Sequence, residues 1–148
     1  MIAWAGDEPV RGIPETAGPA EAARGGRGRR RPVLVVDDDR SILETVSQIL
    51  RADGYDVLRA TSGREALAHL DRVEPSAVLL DMRMPDVDGW AVARAIAARG
   101  RRVPVIVMTA AANARHWAEE IDATAFLAKP FDIDELLTVV ERHTRPLA

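Results

Sequence analysis

The sequence predicts a doubly wound α/β domain, a five-stranded parallel sheet flanked by five helices. Short apolar runs, among them VLVV, AVLL and VIVM, alternate with segments of helical period. Such runs suit parallel strands buried on both faces, and regular strand–helix alternation marks a sheet built from crossover units. Each of four runs also ends on a polar signal: Asp37-Asp38 after VLVV, Asp81 after AVLL, Thr109 after VIVM and Lys129 after AFLA. Ligands of an open parallel sheet bind at the carboxyl ends of its strands, so these residues are expected to share one pocket.

The elements follow in order from Pro32. Residues 33–36 form the first strand. Ile42, Leu43, Val46, Ile49 and Leu50 then repeat at helical spacing, and Gly54 is a stop. Residues 55–58 read as the second strand. Ser62-x-x-Glu65 has the form of a capping box, opening a helix whose apolar face is Ala66, Leu67, Leu70 and Val73. Residues 77–80 are the third strand, 88–99 a helix ended by Gly100, and 103–108 the fourth strand, with Pro104 near its start. A helix is expected at about 113–121 and a short strand at 124–128. Asp132-x-x-Glu135 opens the last helix, with Ile133, Leu136, Leu137 and Val140 inward.

At 148 residues the chain has the length of one domain, and 47% hydrophobic with 29% charged residues is a globular profile. Residues 1–31, rich in Gly, Ala, Pro, Glu and Arg without a sustained period, are expected to be a disordered tail, leaving 32–145 as the domain. The tail ends in a basic cluster, Arg24 to Arg31, which could bind an acidic surface or RNA, the simpler reading being a solubilising extension or an over-long start. The first 32 residues carry a balance of +2, which leaves −5 for 33–148 out of −3 overall. An acidic domain is a poor nucleic-acid binder, so direct DNA binding is not expected. There is no cysteine, hence no disulfide or thiolate metal site. No run is long and apolar enough for a membrane span and MIAWAGDEPVRG is not a signal peptide, so a cytoplasmic protein without membrane association is expected.

The polar signals have a chemistry in common. Adjacent acids such as Asp37 and Asp38 repel each other unless a cation is present, and Mg²⁺ prefers oxygen ligands while keeping several waters. Asp residues are also common at helix N-termini, and Asp39 is expected to be the cap there. Asp81 follows a buried run, where burial raises a carboxyl pKa unless a cation sits nearby. Thr109 offers a hydroxyl beside a small residue, Ala110. Lys129 is the one lysine in a chain that otherwise uses arginine, which marks a place for a compact ammonium.

Taken together, VLVVDDD, LLDMRMPDVDG, VIVMTA and FLAKPF resemble the receiver domain of two-component response regulators, from about Val33 to His143. The resemblance implies the flavodoxin-like receiver fold and phosphoryl transfer from a histidine kinase or histidine phosphotransfer protein to Asp81. It implies that Asp38 ligates Mg²⁺ directly, that Asp37 assists through water, and that the backbone carbonyl of Arg83 completes the set with Asp81. Thr109 and Lys129 would bind the phosphoryl oxygens. Thr109 would then move inward and Phe126 rotate after it, remodelling the face of the fourth helix, fifth strand and fifth helix. Arg83, beside the acceptor, is expected to alter the phosphoryl lifetime. His116 and Trp117 on the fourth helix belong either to that output face or, for Trp117, to packing against the fifth helix. The expectation is a stand-alone receiver, not a turnover enzyme, whose output is a protein contact, with dimerisation through the same face as a further option.

Two other readings compete. Asp37-x-Asp39 after VLVV resembles the haloacid-dehalogenase phosphatases, which would make Asp37 the nucleophile of phosphate-ester hydrolysis. That layout leaves LLDMRMPDVDG unexplained, and FLAKPF lacks the further acidic pair such enzymes need. A receiver-like domain that docks without phosphorylation is the third reading.

Overall fold

A computed structural model describes residues 31–100 and 102–144. The expectations for the tail up to residue 30 and for a domain end at 145 lie outside the described residues. Among the described residues five strands alternate with five helices: β1 (Val33–Val36), α1 (Arg40–Ala52), β2 (Val57–Ala60), α2 (Gly63–Arg72), β3 (Ala77–Leu80), α3 (Gly89–Ala98), β4 (Val105–Ala110), α4 (Ala111–Glu120), β5 (Ala125–Lys129) and α5 (Ile133–His143). The sheet is wholly parallel, in the order β2-β1-β3-β4-β5. Strand order reverses between β1 and β3, and the crevice beyond their carboxyl ends is where such a sheet binds ligands.

The period of two along each strand divides the core into two layers. Leu34, Val36, Val78, Leu80, Val105 and Val107 face one way and pack with residues of α2, α3 and α4. Val33, Val35, Ala77, Leu79, Ile106 and Met108 face the other way, against α1 and α5. Both faces of β1 and β3 are therefore covered, the physical reason that VLVV and AVLL contain no polar residue.

Several boundaries differ from the sequence expectation. The second strand begins at Val57 rather than at 55. The cause lies in the end of α1: Gly54 adopts φ 96° and donates to Arg51 O, while the Tyr55 amide donates to Leu50 O. This Schellman-type closure uses the Tyr55 N–H, and the ring of Tyr55 is buried under the sheet. The fourth strand starts at Val105, after Pro104, whose carbonyl still accepts from Val78. The fourth helix starts at Ala111 rather than 113, without a side-chain cap.

The caps explain the other helix starts. Asp39 accepts from the amides of Ser41 and Ile42, as expected of the α1 N-cap. Asp132 and Glu135 form a complete reciprocal box at α5. At α2 the box is not reciprocal. Ser62 Oγ accepts from the Glu65 amide, but the Glu65 carboxylate turns to Thr61, accepting from its amide at 2.6 Å and its hydroxyl at 2.8 Å.

Candidate functional site

Register brings the expected residues together. Val36 pairs with Leu80 at the last rung between β1 and β3, so the next residues, Asp37 and Asp81, leave the sheet side by side. The ladder bonds continue past the strands: the Asp81 amide donates to Val36 O at 3.0 Å and the Asp37 amide to Ala60 O at 3.1 Å. These bonds fix both backbones before any ligand is bound. On the other side, Thr109 pairs with Ala128 and Ala110 with Lys129, placing hydroxyl and ammonium on neighbouring strand ends.

Asp37, Asp38 and Asp81 each present a carboxylate oxygen, all within 4.8 Å of one another. Asp37 and Asp81 are buried and Asp38 is exposed. The two oxygens of Asp37 are already engaged: Oδ1 accepts from the Asp39 amide and Oδ2 from Lys129 Nζ, both at 2.9 Å. Lys129 Nζ also lies 4.0 Å from Asp81 Oδ1. Asp81 accepts a long hydrogen bond from the Arg83 amide at 3.3 Å, which folds the start of the following loop over the carboxylate. Thr109 is buried near the carboxyl end of β4, opposite Ala128.

The electrostatics set the chemistry of Asp81. Burial, then the neighbouring Asp37 charge, pushes its pKa from the ordinary 3.8 up to about 7, against the opposing pull of Lys129 and the Arg83 amide. Three acids against one ammonium leave a deficit of positive charge. Oxygen-only ligands, one of them exposed, fit a hard divalent cation that retains waters. Asp37, Asp38 and Asp81 would hold such an ion, whose positive charge would keep Asp81 ionised and offset the negative charge of an approaching anion.

The loop from Asp81 to Gly89 is held at several points. Asp88 caps α3 by accepting from the Ala91 amide. Gly89 sits so close to the start of the loop that a Cβ there would stand 2.6 Å from Met82 Cα and 2.8 Å from Asp81 O. Gly63 of α2 faces Val87, whose carbonyl oxygen would stand 2.2 Å from an added Cβ. Arg64 pairs with Asp86 at 2.6 Å. Sequence reasoning missed Gly63 and Arg64, because their partners lie more than 20 positions away and neither belongs to a motif with a local signature.

The remaining expected residues lie further out. Phe126 on β5 is 38% exposed, under the guanidinium of Arg115 at 5.5 Å from the ring centroid. His116 pairs with Glu120 one turn along α4. Trp117 packs against Trp90 of α3, ring centroids 5.0 Å apart, and not against the fifth helix. α4 turns its tryptophan toward the α3 side because that is where the apolar layer containing Ala118 lies.

Comparisons with known proteins agree with this geometry. The profile of the response regulator receiver domain matches residues 33–141. "Response regulator MprA" of Mycolicibacterium vanbaalenii is 41% identical over 119 residues, 77% of this chain and 52% of that protein. The chain thus spans about half the length of the curated relatives it matches. Among solved structures, the Vibrio cholerae chemotaxis protein CheY4 superposes with a TM-score of 0.70 at 30% identity, covering 77% of this chain and 98% of that one. The receiver domain of the sensor histidine kinase PA1611 of Pseudomonas aeruginosa, solved with magnesium in its active-site cleft, gives 0.70 at 33% identity over 77% and 97%. Among the described residues no helix is long and apolar enough to cross a membrane. By sequence profile, fold and relatives, the chain belongs to the response regulator receiver domain family of two-component systems.

Proposed function

We propose that Asp81 accepts a phosphoryl group from a histidine kinase or histidine phosphotransfer protein in a Mg²⁺-dependent step, and that this event changes a protein-binding face. The observation that carries the reading is the convergence of Asp37, Asp38, Asp81 and Lys129 at the switch point of the sheet, with Lys129 Nζ 2.9 Å from Asp37 and 4.0 Å from Asp81. An Oδ of ionised Asp81 forms a bond to phosphorus as the donor's N–P bond breaks. The electron pair goes to the imidazole nitrogen. Lys129 is placed to meet a phosphoryl oxygen, and the Thr109 hydroxyl can donate to another. Positioning and charge stabilisation supply most of what phosphoryl transfer requires. Asp38, the exposed acid, is the residue best placed to ligate the ion directly, with Asp37 assisting while bonded to Lys129. The backbone carbonyl of Arg83 is the further ligand in this reading.

Asp37 as a hydrolase nucleophile is disfavoured by the same distances, since both of its oxygens already accept hydrogen bonds. The chain is thus proposed as a phosphoacceptor and not a turnover enzyme. Its output face is proposed to be that of α4, β5 and α5, where shallow hollows lined by Arg115, Glu119, Asp132, Glu135 and Arg142 flank exposed Phe126. Thr109 and Phe126 are the switch residues of this reading, and a downstream protein or a second copy of the chain is the partner. The proposal concerns the receiver itself; the curated relatives carry about as much chain again beyond the matched segment.

The test is intact mass after incubation of the 148-residue chain with Mg²⁺ and a small acyl phosphate. A gain of one phosphoryl group, abolished by EDTA and by Asp81→Ala, is the expected result. A folded chain that gains nothing, with the acyl phosphate and with a phosphorylated histidine phosphotransfer protein alike, would leave docking alone as its role.

A further inference from the structure

Arg83 occupies two environments at once. Its amide donates to Asp81 Oδ1, while its guanidinium carbon lies 5.9 Å from the centroid of the Trp117 ring on α4. Trp117 meets Trp90 of α3 edge to face, with planes at 68°. Trp90 Nε1 in turn donates to Glu120 Oε1 at 3.0 Å, at the end of α4. An exposed guanidinium therefore closes an aromatic chain that ties α3 to α4, and its own backbone is bonded to the acceptor. Among the described residues no carboxylate pairs with it.

We propose, resting on the reading of Asp81 as phosphoryl acceptor, that Arg83 is a two-place residue: it lies on Trp117 while Asp81 is free and moves to the phosphoryl oxygens when Asp81 is modified. Reach is not in question, because the side chain springs from a residue whose amide already touches Asp81 Oδ1. An exposed cation–π contact is weak, whereas a guanidinium–phosphoryl pair is charge-assisted on both sides and can be bidentate. The guanidinium cannot occupy both places, so phosphorylation exposes one face of Trp117. This path reaches α4 through its α3-facing side, independently of Thr109 and Phe126 on the β5 side.

The test uses the whole chain carrying Trp4→Phe, so that emission comes from Trp90 and Trp117 alone. Beryllofluoride with Mg²⁺ serves as the acyl phosphate mimic, its binding followed by calorimetry and the indole emission followed in parallel. Saturation is expected to shift the emission, and Arg83→Met, which keeps the aliphatic stem and removes the charge, is expected to abolish the shift. Linkage makes a second demand. Trp117→Leu should tighten beryllofluoride binding about two- to fivefold, the factor an exposed cation–π contact corresponds to, and should do nothing in the Arg83→Met background. An equal emission shift with Arg83→Met, or an equal effect of Trp117→Leu in both backgrounds, overturns the proposal. Binding without any emission shift in the Trp4→Phe chain overturns it while leaving the receiver reading intact. No binding at all removes the receiver reading and the proposal together.

Discussion

Lys129 and Asp37, 92 positions apart in the chain, meet at 2.9 Å beside Asp81. Asp37 is wholly buried, and Lys129 is the one lysine of the sequence. The pair has two duties. It neutralises a carboxylate that burial would otherwise penalise, and it parks an ammonium within 4.0 Å of Asp81.

Removing the ammonium should therefore be felt in the fold as well as in the chemistry. Lys129→Met leaves Asp37 buried and unpaired, and is expected to lower stability by roughly 1–3 kcal/mol, less than for a fully buried pair because Lys129 reaches solvent. Adding Asp37→Asn should recover part of that loss. Urea unfolding of the two single variants and the double variant measures the coupling. Simple additivity would mean that the ion pair is not what stabilises the site. Phosphoryl uptake, followed by mass, is expected to be lost with Lys129→Met.

The raised pKa of Asp81 gives a pH dependence with a definite sign. Between 3.8 and about 7 the folded chain holds a proton that the unfolded chain has released. The stabilising contribution of that proton is whole below 3.8 and is lost as the pH rises to about 7. Asp81→Asn removes the penalty, so this variant should be more stable than the unsubstituted chain at pH 8 by about 1–4 kcal/mol, and the gain should shrink toward pH 4. Mg²⁺, which binds the ionised form, should stabilise the unsubstituted chain at pH 8 more than it stabilises Asp81→Asn. Urea midpoints at both pH values, with and without Mg²⁺, decide the matter; an Asp81→Asn chain no more stable at pH 8 would contradict the assignment.

Asp38 separates metal binding from stability. Its carboxylate is exposed, and among the described residues no side chain fixes it as Lys129 fixes Asp37. Asp38→Asn should change stability by no more than about 0.5 kcal/mol. Its Mg²⁺ affinity should fall about tenfold or more with the loss of a charged ligand. Calorimetric titration with Mg²⁺ tests this, and unchanged affinity would move the ion away from Asp38.

Gly89 tests whether the loop after Asp81 must be tightly folded. A methyl group there would collide with Met82 Cα and the Asp81 carbonyl, both main-chain neighbours. Gly89→Ala should cost about 1–3 kcal/mol and slow phosphoryl uptake, because relief of the clash displaces Asp81 itself. Full stability with full uptake would show that the loop yields without moving the carboxylate.

The hydroxyl of Thr109 is expected to act only once phosphorus is present. Thr109→Val keeps the buried volume but loses the donor, and should slow uptake or retention of the phosphoryl group by about tenfold, the worth of one hydrogen bond to a charged oxygen. Thr109→Ser should restore most of it. Identical behaviour of Val and Ser would remove the hydroxyl from the mechanism.

The sequence by itself determined the sheet and which polar residues stand at the carboxyl ends of its strands. Apolar runs such as VLVV and AVLL can be satisfied only between two covered faces, and the polar residue ending each run falls at the same end of a parallel sheet. Asp37, Asp38, Asp81, Thr109 and Lys129 were legible for that reason, as were the caps at Asp39 and Asp132, whose partners lie two or three residues away. The tertiary structure decided what depends on distant neighbours. It chose Asp37 as the acid that holds Lys129, turned Glu65 onto Thr61, started β2 beyond a buried Tyr55 and set Gly63 against Val87. It also laid Arg83 on Trp117 and Trp117 on Trp90, contacts between three elements that no local pattern encodes. Periodicity records which face of a strand or helix is buried, but the partner met on that face is fixed only when register and crossover bring separate segments together.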